Sequence, residues 1–257
     1  MQSRSWKRHV LALILFGSAF GYLEAAVVSY LRYLHEPVLH RFYPARSIND
    51  LFPLLTAEQA AQSGPQERKV LLTEVGREAS TIVMLAAIAL TVSTNLGQWA
   101  AAFAIAFGIW DIAFYLFLKV LLDWPASLFT WDILFIIPVP WVAPVISPVI
   151  VSAAMVLAGI CHLRREATAH PVALGVGNWL CLFAGAAVIV MSFTLDHANV
   201  SAGGMPHPFH WTVFAAGMTI GLGGYAEAAL RSRPSYFAAA SSPHISGSSP
   251  ESLRNSL

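Results

Sequence analysis

The chain has 257 residues, of which 56% are hydrophobic and only 11% charged, well below the roughly 25% charge of a soluble globular domain. Mean hydropathy is +0.61 and the formal net charge is +1. These values exclude a soluble bundle with a polar face on every helix, and they leave no basic footprint for nucleic acid.

Charge is confined to gaps between long apolar runs, and a spanning helix needs about 20 apolar residues. The expected fold class is therefore all-α: a polytopic transmembrane helix bundle of about six spans, forming a single domain over 1–231. The first span covers 10–31. Arg4, Lys7 and Arg8 precede it, and Ala19-Phe20-Gly21 is a passable cleavage site for a signal peptide. The apolar run continues to Val28, too far for a signal-peptide core, which favours a retained helix.

Between Pro37 and Pro53, aromatic residues and prolines alternate with polar ones, the pattern of a compact loop on the membrane surface. The second span is placed at 78–96 and the third at 98–122. Trp124-Pro125, followed by Phe129 and Trp131, predicts a short interfacial helix, since proline suits a first helical turn and Trp favours the interface. Pro138, Pro140, Pro144 and Pro148 come next. The fourth span, 141–162, is thus expected to be proline-broken, kinked or preceded by an irregular segment. The fifth span covers 172–194 and the sixth 211–230. The Ser-rich stretch 232–257 reads as a disordered cytoplasmic tail.

Lys and Arg bias orients the bundle. Arg4, Lys7, Arg8, Arg164, Arg165, Arg231, Arg233 and Arg254 fall on one side, and the loop between the fifth and sixth spans has neither residue. The first outer loop, with Arg41, Arg46, Arg68 and Lys69, is the exception. The balance predicts a multi-pass protein of the cytoplasmic (plasma) membrane with both termini cytoplasmic.

Ionisable residues inside spans are expensive in lipid and usually face the bundle interior. At 1.5 Å per residue, Glu24 lies roughly 21 Å and Asp111 roughly 20 Å from the inner edge, at matching depth in the outer half. Glu74, Arg77, Glu78 and Thr81 share one helical face. Asp111, Tyr115 and Lys119 repeat every fourth residue towards the outer edge. Asp132, Asp196, His197 and His210 flank the same level. The expectation is a polar cavity formed by Glu24, Glu74, Arg77, Glu78, Asp111, Tyr115, Lys119, Asp132, Asp196, His197 and His210. Interhelical neutralisation by Arg77 and Lys119 is the competing structural reading.

Carboxylate with imidazole suits Zn, Fe or Mn, which makes Asp196, His197, His207 and His210 weak metal candidates. No HExxH or ExxH motif accompanies them, and histidines at a helix mouth are more often interfacial or capping residues. Cys161 and Cys181 lack any CxxC or Cys/His spacing and read as small packing residues. Gly17 and Gly21 form a GxxxG on the face of Glu24, and Gly217, Gly221 and Gly224 share a face with His210; such stripes let helices approach closely. Residues 21–26 and 224–229 are similar hexapeptides, a resemblance best ascribed to their alanine content.

The chain contains no Walker A, GxSxG, CxxCH or Rossmann glycine pattern, so the sequence names neither a catalytic residue nor a cofactor. Three functions fit. One is transport with proton or cation coupling through Glu24, Glu78 and Asp111. Another is a membrane-embedded enzyme, with or without metal, acting on a lipid or small apolar substrate. The third is a structural or accessory subunit. The expected partners are the lipid bilayer and a small-molecule, ion or lipid ligand.

Overall fold

Uninterrupted apolar runs leave the backbone no polar partner in lipid except itself, and the helix satisfies it within one segment. The computed structural model describes residues 5–47, 49–168 and 170–232. In chain order the elements are α1 (Ser5–Phe42), α2 (Ala57–Gln62), α3 (Pro65–Thr91), α4 (Leu96–Leu122), β1 (Trp131–Phe135), β2 (Trp141–Pro144), α5 (Ile146–Ala167), α6 (Val176–Thr194), α7 (His197–Ser201) and α8 (Trp211–Arg231). Five helices, α1, α4, α5, α6 and α8, are long and apolar enough to cross a membrane. At 27 residues α3 matches α4 in length, but Glu74, Arg77 and Glu78 interrupt its apolar surface. The expected tail beyond Ser232 lies outside the described residues.

The central element is α4, which packs along its length between α1 and α5 and also meets α3. Its faces bury Ala101, Ala102, Ile105 and Ala106, and with Leu13, Leu85 and Leu163 these form the largest apolar cluster. A second unit is the pair α6 and α8, which meets the rest through α5 and β2. Small residues set both distances. A Cβ on Gly21 would come within 2.7 Å of the Trp110 carbonyl, and one on Gly217 within 2.9 Å of the Gly185 carbonyl. Gly221 differs from the sequence expectation: a Cβ there would find only Gly185 Cα, at 3.9 Å, an ordinary contact.

Three boundaries correct the sequence reading. First, α1 continues to Phe42, beyond the expected end at Leu31, so the supposed surface loop starts as helix. The segment between α1 and α3 is tied down by Phe52, buried against Val142 and Val200, and by α2, whose Thr56 and Gln59 form a reciprocal capping box. Second, α3 begins at Pro65 rather than near Glu78, with the proline in the first turn, where its missing N–H is not needed. Third, no helix forms after Trp124. The expected interfacial helix is replaced by turns leading into an antiparallel hairpin, with Trp131 opposite Pro144, Asp132 opposite Ala143 and Ile133 opposite Val142.

Alternation holds over the start of the strand, with Trp131 and Ile133 on one side and Asp132 on the other, before a bulge between Ile133 and Phe135. Pro138 and Pro140 lie between the strands and Pro144 ends the second. The fourth span is therefore not a broken helix from Trp141. Its helix begins at Ile146, and Pro148 sits in the first turn, where the backbone N–H has no intrahelical partner anyway. The irregular entry is the hairpin itself.

Candidate functional site

The helical repeat places the polar residues of α1 and α3 face to face. On α1, Glu24, Val28, Leu31, Arg32, His35 and Leu39 recur at helical spacing and line one cavity of about 1170 Å3. On α3, Glu67, Glu74, Arg77, Glu78 and Thr81 line the opposite wall. Asp111 and Tyr115 enter from α4, Ser152 from α5 and Asp132 from β1; Ile189, Val190 and Phe193 of α6 make an apolar side.

The carboxylates have distinct partners. Arg77 of α3 ion-pairs with Glu24 of α1 and with Glu74 one turn before it. Its Nε also donates to both Glu74 oxygens, at 3.0 and 2.9 Å. The Thr81 hydroxyl reaches Glu24 at 3.5 Å. Glu78 accepts the Ile136 backbone N–H at 3.0 Å on each oxygen, tethering the chain just after β1. The Ser152 hydroxyl donates to Asp111 at 2.8 Å. That bond depends on close approach of α4 and α5: a Cβ on Gly108 would lie 2.5 Å from the Ser152 carbonyl. The Tyr115 hydroxyl donates to Asp132 at 2.7 Å. Glu24, Glu78, Asp111 and Asp132 are only 5–8% exposed, so each ionised oxygen needs such partners to offset lost hydration.

Of the expected site, the cavity wall contains Glu24, Glu74, Arg77, Glu78, Asp111, Tyr115 and Asp132. Lys119 lies elsewhere. Two i+4 steps rotate it about 80° from Asp111 around the helix, and its ammonium instead pairs with Asp123 at 2.7 Å and donates to the Pro125 carbonyl at 3.2 Å. Asp196, His197 and His210 do not line the cavity either. The His207 side chain and backbone N–H donate to Asp196 at 2.7 and 2.8 Å, while the His197 ring turns back to the Thr194 carbonyl. Burial pushes the Asp196 carboxyl up, but these donors and Asn199 outweigh it and hold the group below its usual range. No grouping of three or more potential metal ligands exists among the described residues, so Asp196, His197, His207 and His210 do not form the metal corner that their spacing suggested.

No family model matches the chain, no curated protein matches its sequence, and no solved structure matches its fold. The site must therefore be read from its own chemistry.

Several wall residues escaped the sequence reading: Arg32, His35, Arg46 and Ser152. His35, at i+11, falls within about 20° of Glu24 around the helix, and that spacing was the available signal; Arg32, at i+8, lies about 80° round and also enters the wall. Arg46 comes from the loop after α1 and is held by Glu36 at 2.9 Å and by the Asp50 carbonyl. Its placement depends on a chain reversal that no periodicity encodes.

Proposed function

We propose that this protein is a six-span carrier of the cytoplasmic membrane, with both termini cytoplasmic and α3 as the additional crossing. Its cavity binds an amphipathic small molecule and couples that binding to a proton or cation. The observation that supports the reading is one cavity in which largely apolar walls surround buried carboxylates from α1, α3, α4 and β1. Arg77 is shared between Glu24 and Glu74. Glu78 and Asp111 form no ion pair among the described residues: Glu78 is held by backbone N–H donors with Arg77 attracting it through space, and Asp111 by a hydroxyl. A carboxylate so placed takes up a proton or a cation.

The test is a flux assay in liposomes with a pH-sensitive dye in the lumen. Wild-type protein should discharge an imposed proton gradient faster than E78Q or D111N variants of equal thermal stability. Equal rates in all three would reject coupling.

A membrane-embedded enzyme acting on a lipid is the second reading. Asp111 and Asp132 favour it: they lie in one wall, one bonded to a serine and the other to a tyrosine hydroxyl. Carboxyls held in different environments can divide acid and base roles. Conversion of vesicle lipid by wild type but not by D111N, seen by mass spectrometry, would favour that reading over the carrier.

A further inference from the structure

Beyond Glu24, Glu78 and Asp111, towards the end of α1, bases join the cavity wall. Arg32, His35, Arg46 and Arg68 enter it there with Glu67 and Asp132, and Glu36 pairs with Arg46 at 2.9 Å. The Arg32 guanidinium lies over the Trp124 ring, 4.2 Å from its centroid. This orients the fork, yet its Nε and Nη1 are buried and have no hydrogen-bond acceptor among the described residues. Asp132 attracts Arg32 through space but spends its hydrogen-bonding on Tyr115, and Arg46 is near enough to repel Arg32. His35 comes no nearer than 3.9 Å to Glu67. A stacked guanidinium with two buried nitrogens that lack acceptors is costly as it stands. Its planar fork matches phosphate and carboxylate oxygens two at a time.

We infer that the Arg32 end of the cavity seats the phosphate head group of an amphiphile whose chain lies along the apolar lining. This rests on the reading of the cavity as an amphiphile site. A free inorganic phosphate would share the head-group chemistry, but it would leave the cavity side of Val28, Leu31, Leu51, Leu54 and Leu71 uncovered.

The test is binding to the purified full-length protein in detergent, read by native mass spectrometry. The probes are phosphatidic acid, diacylglycerol with the same chains, and inorganic phosphate. Phosphatidic acid should bind about tenfold more tightly than diacylglycerol, the scale of a hydrogen bond to a charged group. R32Q should abolish that preference while still binding diacylglycerol. R32K keeps the charge without the fork and should lose most of the preference, which covers the case in which R32Q fails to fold. Equal binding of the two lipids, or an unchanged preference in R32K and R32Q, would overturn the inference and leave the amphiphile reading standing. Inorganic phosphate binding as tightly as phosphatidic acid would assign the site to a free anion instead. Binding of neither lipid would remove the amphiphile reading as well.

Discussion

Arg77 of α3 ion-pairs with Glu24 of α1, joining two helices that are separated in the chain by the whole first loop and α2. The pair is mostly buried, and Glu74 shares the same guanidinium, so one base faces two acids. Removing one partner strands the other in a poorly hydrated site. R77M should destabilise the protein by about 3 kcal/mol. The double variant E24Q/R77M should recover only the part of that loss due to Glu24, because Glu74 still lacks its partner. Thermal unfolding in detergent checks both, and an R77M as stable as wild type would show the pair to be solvated.

At Asp111, chemistry and stability should separate. D111N keeps the shape and an acceptor for the Ser152 hydroxyl, so its stability should stay within about 1 kcal/mol of wild type. Ligand binding or flux should nevertheless be lost. D111L should lose both. If loss of function tracks loss of stability across the two variants, the carboxylate serves assembly only.

The glycine stripe of α8 should be uneven. G217A forces a methyl to 2.9 Å from the Gly185 carbonyl and should cost about 1–3 kcal/mol. G221A meets nothing closer than 3.9 Å and should stay within about 0.5 kcal/mol. Melting temperatures of the two variants decide it, and equal losses would count against this packing.

The number of crossings is open to a direct measurement. Reporter fusions after Ser232 and within 196–209 should land on opposite sides of the membrane. Fusions within 50–64 and within 92–95 should do so as well if α3 crosses. A same-side result for the second pair would make α3 a buried helix that does not cross.

Asp196 gives a pH dependence with a defined sign. Its folded pKa is depressed by the His207 and Asn199 donors. Its stabilising effect is therefore complete above the unfolded value of about 3.9 and is lost as pH falls through the folded value. The stability gap between wild type and D196N should close in strong acid. A gap that persists undiminished in strong acid would contradict the hydrogen bonding described.

The shared cavity of Glu24 and Asp111 was legible because a straight helix converts residue number into height at a fixed rise. The α3 stripe was legible for a related reason, since residues three and four apart share a face. Lys119 was misjudged because a repeat of four drifts off the face over two turns, and the side chain at the helix end found Asp123 first. The hairpin was hidden because its aromatic residues and prolines equally suit an interfacial helix, and the choice depends on strand pairing across a turn. Arg32 was passed over at the edge of a span: at i+8 it sits about 80° round α1 from Glu24, so periodicity did not mark it, although it lines the cavity.

The cross-helix pair of Glu24 and Arg77 also sets a sequence of events during synthesis. A ribosome adding about 5–20 residues per second makes Arg77 several seconds after Glu24. For that interval α1 carries an acid whose eventual partner does not yet exist. An α1 released into lipid early would have to hold Glu24 protonated or hydrated at a membrane defect. Retention of α1 beside the insertion machinery until α3 arrives would avoid that cost. The pairing seen in the finished bundle thus makes α1 and α3 a unit of assembly, with α2 and the loop before it as the tether that keeps them together.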